Sequence, residues 1–490
     1  MVVPRRDSGL SVWLLSTFGL GAVTLFALAG PARRVTWTSP IGLFVIITIA
    51  ASSCIVASLW VLGVGHRHDL AEVGILATGL TVVSMLPLVH GLTAPGVLYG
   101  PNQAVRTSAF LALPVALVAW APLALRHTGT GRFVARHWRA WSAAFVGLST
   151  FTAAFLLMSP QIVVAPSGTG PAVVTMVVAE TALALWLSWQ QLRLYQIGQQ
   201  QATLLASVAL VFLALTPLVW LAGPSFSVGW WLVHALDIAG VFGGCFGVLR
   251  SHRLGRGTVE MLAPVLALDP LAALEIGLAP VVHRFVAALE AKDPITRDHV
   301  VRTAALAMRV GASVGLPPRQ LRALGLAALL HDIGKLDTPD GVLNKPGRLT
   351  PDEYQVIQRH TVDGDALVAS VPSLAAIAPL VRGHHERVDG GGYPDGLRGD
   401  AIPIEARIIA VCDAFDAMAH TRQYREGMGS ARAFAVLQEH AGSQWDRSIV
   451  EQIVRLAPEI GHGAELSAVG RAVACDCADA LPESVQRQLV

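Results

Sequence analysis

The sequence predicts an all-α protein in two parts: a polytopic transmembrane helical bundle followed by a cytoplasmic, all-helical domain. Three observations carry this expectation. The 490 residues are 53% hydrophobic and only 14% charged, with a mean hydropathy of +0.54, too apolar for a chain whose whole surface meets water. The apolar residues concentrate before Arg250, in stretches near the roughly 20 residues that a helix needs to cross a bilayer. Beyond Arg250 they recur at helical spacing between Gly- and Pro-rich loops, with little of the alternation that strands require. The expected division is a membrane region over 1–250, a linker or signalling helix over 251–281, a helical domain over 282–456 and a C-terminal tail over 457–490.

About eight crossings are expected in the first part, with cores at Leu10 to Gly30, Ile41 to Val64, Ala71 to Leu92, Thr107 to Leu125, Trp141 to Met158, Ala172 to Trp189, Ala202 to Leu221 and Gly229 to Leu249. Arg5, Arg6 and the small-residue run Ala27-Leu28-Ala29 have the form of a cleavable signal. The apolar run is longer than a signal core and further spans follow closely, so it reads as a membrane anchor. Cytoplasmic loops retain basic residues. With the N-terminus inside, the inner segments hold Arg5, Arg6, Arg67, Arg126, Arg132, Arg136, Arg139, Arg193, Arg250, Arg253 and Arg256, and the outer loops only Arg33, Arg34 and Arg106. An even number of crossings then places the second part in the cytoplasm.

Ionisable groups at membrane depth are costly and so are functional candidates; here they are His90, Glu180, His234 and Asp237. His234 and Asp237 stand three apart on the last expected helix and could report pH, bind a ligand or metal, or pair inside the bundle. No internal duplication suggests a transporter repeat. The net charge of +2 comes without a dense Lys/Arg run, so no nucleic-acid polymer is expected as a partner. The five cysteines, Cys54, Cys245, Cys412, Cys475 and Cys477, lack the spacing of a zinc ribbon or a disulfide framework.

Pro264, Pro270 and Pro280 mark a junction, within which Leu271 to Ala291 has helical spacing interrupted by Pro280. In the second part, Leu321 to Leu330 is a run of helix formers that carries His331 and Asp332 to its C-terminal end, ahead of Gly334. The chemistry-bearing set is His299, His331, Asp332, His360, His384, His385 and Asp413. Imidazole and carboxylate donors without thiolates suit iron, manganese or zinc at a mixed nitrogen and oxygen site.

The order of these residues and their surroundings closely resembles the HD-GYP family over roughly Ala287 to Leu456. The matching pieces are Lys292-Asp293 and His299; Leu329-Leu330-His331-Asp332-Ile333-Gly334-Lys335; Leu343-Asn344-Lys345-Pro346-Gly347; and His360 with Gly364. They continue with His384-His385-Glu386-Arg387-Val388-Asp389-Gly390-Gly391-Gly392-Tyr393-Pro394, then Val411-Cys412-Asp413-Ala414-Phe415-Asp416-Ala417, and finally Arg422, Tyr424 and Arg425.

The resemblance implies an HD-domain fold with two divalent metal ions, iron or manganese. In it Asp332 bridges the ions, His299, His331 and Asp413 mainly hold one, and His360, His384 and His385 hold the other. The implied activity is a membrane-bound cyclic di-GMP phosphodiesterase, in which a hydroxide activated by two metals opens the cyclic dinucleotide to pGpG, with some members continuing to GMP. Asp332 and Lys335 would be catalytic, the Lys335 ammonium neutralising charge that develops on the phosphate. Arg422 and Arg425 match basic positions facing the substrate phosphates. The loop of Gly392, Tyr393 and Pro394 is linked to substrate access and to protein contacts, with a diguanylate cyclase or another signalling protein as partner. Glu386 and Asp389 are candidates for orienting ligand histidines. Ile295 stands where some relatives carry a Glu that holds a third metal, so two ions are expected. Thr361 and Gln423 replace prolines common in relatives. Membrane lipid surrounds the first part, and the helical junction suits a homodimer. The alternative is a membrane receptor whose HD-GYP domain binds a cyclic dinucleotide or a partner protein without turnover; a transporter with a regulatory domain ranks behind it.

Overall fold

The computed structural model describes residues 38–124, 129–161, 170–222, 278–292, 296–420 and 427–457, with isolated positions between 11 and 36, 227 and 235, and 270 and 274. Arg422, Arg425, Asp237, Cys245, Cys475 and Cys477 lie outside the described residues. The fold is all-helical: among the described residues, β-pairing is confined to isolated bridges. The chain divides into two compact units, residues 1–195 with 200–268, and residues 196–199 with 269–490.

The first unit contains α1 (Pro40–His68), α2 (Ala71–Leu92), α3 (Ala104–Ala124), α4 (Gly129–Arg136), α5 (Trp138–Met158), α6 (Pro171–Gly198) and α7 (Gln201–Ala222). Among the described residues, four helical stretches are long and apolar enough to cross a membrane: Phe44–Arg67, Ala71–Leu92, Trp138–Met158 and Val173–Gly198. They coincide with four of the eight expected crossings. α3 and α7 occupy two more, with shorter apolar cores at Pro114–Leu123 and Thr203–Leu215. The first and last expected crossings fall largely outside the described residues.

Local chemistry accounts for the helix ends and contacts. α1 opens with Pro40 behind Ser39, whose side-chain oxygen accepts from the Gly42 N–H, and stops at Asp69 in a left-handed conformation (φ 51°). Gly79 of α2 leaves room for the Trp120 ring, whose indole N–H donates to the Leu76 carbonyl at 3.0 Å. Buried hydroxyls meet one another as well as a helix carbonyl: Thr78 Oγ1 lies 2.6 Å from Ser142 Oγ, and Thr81 Oγ1 lies 2.9 Å from Ser58 Oγ. Val56, Phe151, Phe155 and Met158 point outward and exposed, an outer surface suited to lipid.

The second unit contains α8 (Pro280–Lys292), α9 (Thr296–Ser313), α10 (Pro318–Leu330), α11 (Asp340–Leu343), α12 (Pro351–Gln358), α13 (His360–Ala369), α14 (Ala378–Arg382), α15 (Ile404–Ala419), α16 (Ser430–Glu439) and α17 (Arg447–Arg455). Pro280 opens α8 instead of interrupting a longer helix, because a first-turn proline has no carbonyl to clash with. Its core lies where α9 packs on α10 and α15, through Ala304, Met308, Leu324, Leu330, Ile409 and Phe415. A short 3₁₀ turn, Ile333–Asp337, continues from α10 and crosses α13. At that crossing a Cβ on Gly334 would collide with the His360 backbone, and one on Gly364 would press on the Gly334 nitrogen. Two glycines therefore let the start of α13 approach the end of α10, which brings His360 toward Asp332.

Candidate metal centre

Each sequence-predicted ligand sits at or near a helix end or on an inward face of the second unit. His299 lies on α9, and His331 and Asp332 follow α10. His360 opens α13, His384 and His385 follow α14, and Asp413 lies on α15. All seven come together. One ligand atom from each of His360, His384 and His385 lies within 4.8 Å of the others, and the same holds for His299, His331 and Asp332. Asp413 joins the latter group, with Oδ1 3.0 Å from His299 Nε2 and 3.9 Å from His331 Nε2. Asp332 lies between the groups, its Oδ2 3.4 Å from His331 Nε2 and its Oδ1 3.6 Å from His360 Nε2.

The backbone decides which ring nitrogen faces inward. His331, His360 and His384 each place Nδ1 against a carbonyl three residues earlier: Ala328 at 2.8 Å, Ile357 at 2.6 Å and Val381 at 2.6 Å. A carbonyl only accepts, so each Nδ1 carries the hydrogen and each Nε2 is left with a lone pair pointing to the centre. A carboxylate does the same work for His299: Asp416 Oδ2 is 2.7 Å from its Nδ1. Arg302 in turn donates to both Asp416 oxygens, at 2.7 and 3.0 Å, and His420 Nδ1 is 3.0 Å from Asp416 Oδ1.

The electrostatics differ between the two groups. Burial, reinforced by neighbouring imidazoles, holds His384 well below the ordinary histidine range, and burial pushes His385 down to about 4 despite the attraction of Asp413. His360 is also lowered, mainly by burial. Burial acts the same way on His299, but hydrogen bonds to Asp413 and Asp416 outweigh it and raise that imidazole to about 9. Burial would raise the Asp332 carboxyl; the Lys335 ammonium, with Nζ 2.6 Å from Oδ2, and the nearby imidazoles hold it far below the usual carboxylate range. Asp413 is depressed as well: its contact with His299 overcomes burial.

The donor set fits divalent cations. His360 Nε2 and His384 Nε2 face each other at 3.3 Å while both Nδ1 atoms are committed to carbonyls, so neutral rings would oppose two lone pairs. His331 Nε2 is buried without a hydrogen-bond partner. A cation accepting those lone pairs satisfies both observations, and imidazole with carboxylate suits iron, manganese or zinc.

The loop after His385 is organised differently from the sequence expectation for its acids. Glu386 does not orient a histidine: its buried carboxylate accepts from the backbone N–H groups of Asp395, Gly396 and Leu397 at 2.7, 3.1 and 2.9 Å. Asp389 pairs with Arg387 at 2.6 Å and accepts from the Gly391 N–H. Loop closure thus takes up both carboxylates. The turn sets the Tyr393 ring 5.0 Å from that of His385, with a cis bond to Pro394. A Cβ on Gly392 would strike the Glu386 and Arg387 backbones. Asp416 and Arg302 were the residues that motif reading left without a role. Each stands three positions after a ligand, Asp413 or His299, and that helical spacing was the available signal.

Residues 282–449 match a family model described as "HD domain", so the second unit contains an HD domain. Among curated proteins, the chain is 41% identical over 174 residues to the cyclic di-GMP phosphodiesterase response regulator RpfG of Xanthomonas campestris, a match covering 35% of this chain and 46% of that one. It is 37% identical over 168 residues to 3'3'-cGAMP-specific phosphodiesterase 1 of Vibrio cholerae, covering 34% and 39%. It is 37% identical over 173 residues to a cyclic di-GMP phosphodiesterase of Thermotoga maritima, covering 35% and 47%. The chain spans less than half the length of each of these relatives.

Proposed function

We propose that the protein is a membrane-bound signalling phosphodiesterase of the HD-GYP type that hydrolyses cyclic di-GMP to pGpG. The observation that carries this reading is the convergence of buried Nε2 lone pairs on Asp332 and Asp413, a donor set without thiolates. His299, His331, Asp332 and Asp413 would hold one divalent ion, and His360, His384 and His385 with Asp332 the second, iron or manganese by donor chemistry. When bound, two such ions polarise a phosphoryl oxygen and make water a better nucleophile near neutral pH.

The protein's own groups do the rest. Ala328, Ile357 and Val381 carbonyls and the Asp416 carboxylate hold the imidazoles in one orientation, so the centre does not reorganise during reaction. Lys335 lies beside Asp332 and supplies positive charge where the phosphate gains negative charge. Tyr393 packs near His385, and its substrate-binding role is assigned by its motif position. Arg422 and Arg425 are assigned to the substrate phosphates by their matching motif positions. Overall, one water adds across one phosphodiester, giving a phosphate monoester and a free hydroxyl.

The test is anaerobic turnover by the full-length protein in detergent, loaded with iron or manganese, with cyclic di-GMP and 3'3'-cGAMP offered separately. Release of pGpG by the wild type, and none by His331→Ala/Asp332→Ala, is expected. Binding of cyclic di-GMP without any linear product, at full metal occupancy, would establish a receptor instead. Preference for 3'3'-cGAMP would reassign the substrate while keeping the chemistry.

A further inference from the structure

Four ionisable residues at membrane depth have no part in the phosphodiesterase reading: His90, Glu180, His234 and Asp237. The fold brings two of them together across 144 positions of sequence (234 − 90). His90 stands in the last turn of α2, and its ring centroid lies 6.0 Å from that of His234, with the ring planes inclined by 28°. Both belong to the first unit.

His90 is held as the ligands of the HD centre are held. Its Nδ1 lies 2.6 Å from the Val105 carbonyl, so Nδ1 carries the hydrogen and Nε2 keeps a lone pair. That Nε2 is buried and has no hydrogen-bond partner. A second buried polar atom without a partner, Thr48 Oγ1 on α1, stands 3.3 Å from the place a Cβ on Gly91 would occupy, one residue along from His90. Buried polar groups are nearly always satisfied, and the orphaned His90 Nε2 next to a second imidazole marks a place built for something that supplies the missing contact.

We propose that His90 and His234 form a binding site for a divalent transition-metal cation of the zinc, nickel or copper class, within the membrane unit and distinct from the HD centre. Imidazole selects this class over magnesium or calcium, which demand oxygen ligands. The spacing fits. A ring nitrogen lies about 1.1 Å from its ring centroid and zinc–imidazole bonds run about 2.0–2.1 Å, so two rings sharing one ion have centroids up to about 6.3 Å apart. The observed 6.0 Å is within that reach, and a tetrahedral bite would draw the rings to about 5 Å. Water completes the shell. A backbone carbonyl on the far nitrogen, as at His90, fixes the tautomer and raises ligand basicity. The arginine asymmetry assigns the turn after α2 to the translocated side, so the ion is drawn from outside the cell.

The test counts zinc retained by untagged full-length protein in detergent micelles after equilibration with Zn²⁺ and gel filtration. Wild type is expected to retain one equivalent more than His90→Gln or His234→Gln. The His331→Ala/Asp332→Ala variant, altered only at the HD centre, is expected to keep that equivalent. The same zinc count in wild type and in a folded His234→Gln protein overturns the proposal. His234 is half-buried, so its variant decides the matter even where His90→Gln fails to fold.

Discussion

The two units bury polar groups by opposite rules. In the first unit, with its long apolar helices, the buried polar side chains are mostly hydroxyls, and several turn back to their own helix: Thr78 to Gly74 O, Thr81 to Ala77 O, Ser84 to Leu80 O. These three are satisfied locally, as apolar surroundings demand, and His90 Nε2 and Thr48 Oγ1 are departures from that pattern. In the HD unit the buried polar groups are ionisable, and they converge from five helices on one point. There the backbone takes Nδ1 of His331, His360 and His384 and the Asp416 carboxylate takes that of His299, so that Nε2 of these rings faces the centre. Helices alone do not make a site; it is made where backbone acceptors are spent on orienting side chains instead of quieting them. The HD unit should therefore be sensitive to single substitutions, and the membrane unit tolerant.

The largest effect is expected at the hinge of that contrast. Asp332→Ala should lower phosphodiesterase turnover by on the order of 10³-fold or more, since the loss of several kcal/mol of charge stabilisation translates to that factor. Turnover at saturating metal measures it; a variant within tenfold of wild type would remove Asp332 from the mechanism. Next comes Gly334→Ala, which inserts a methyl against the His360 backbone. Overpacking of this kind costs about 1–3 kcal/mol, read as a lower unfolding midpoint together with looser metal binding.

A third comparison separates the two halves of the centre. Ligands must be neutral imidazoles to bind a metal. His384 and His385 already are at pH 7, because burial and neighbouring charge depress them, His385 to about 4. His299, raised to about 9 by Asp413 and Asp416 against the pull of burial, is protonated in the metal-free protein. Loading at pH 7 should thus release about one proton from this group, and affinity should rise with pH up to about 9, then level off. Titration calorimetry in buffers of different ionisation enthalpy reads the proton count. Asp416→Asn, which removes the carboxylate behind His299, should weaken metal at that half by about 10–100-fold and leave the His360, His384 and His385 half bound. Equal weakening of both halves would show a general loss of packing.

How much of this was legible in the sequence follows from the range of each interaction. The seven residues that cluster could be singled out, because each falls in a motif whose neighbours are close in sequence. α10 could be read too, since its apolar spacing and the glycine beyond it are local features. The Asp416–Arg302 brace could have been suspected from helical spacing, yet its partner choice spans 114 positions and needs the packed α9–α15 pair. Glu386 was a candidate for orienting a ligand histidine; the folded loop instead offers it three N–H groups from residues nine to eleven positions away. The meeting of His90 with His234 left no trace in local sequence at all. Of the eight expected crossings, the first and last lie mostly outside the described residues, and the other six are helices.

The smallest effect tests the tolerant side of the contrast. Thr78→Val on α2 deletes a hydroxyl that reaches Gly74 O at 2.8 Å and Ser142 Oγ at 2.6 Å on α5. The new methyl nearly matches the lost oxygen in volume, so packing changes little. Ser142 loses a neighbour but can rotate toward a carbonyl of its own helix, as Thr150 does toward Val146 O. Interhelical hydrogen bonds of this kind contribute about 0.6 kcal/mol on average within membranes, because the separated helices find substitute partners. The expected result is a shift of that size in the unfolding equilibrium in mild detergent, with metal content at the HD centre unchanged. A loss several times larger would mean that the Thr78–Ser142 contact locks α2 to α5, and that the membrane unit is as exacting about its polar contacts as the HD domain.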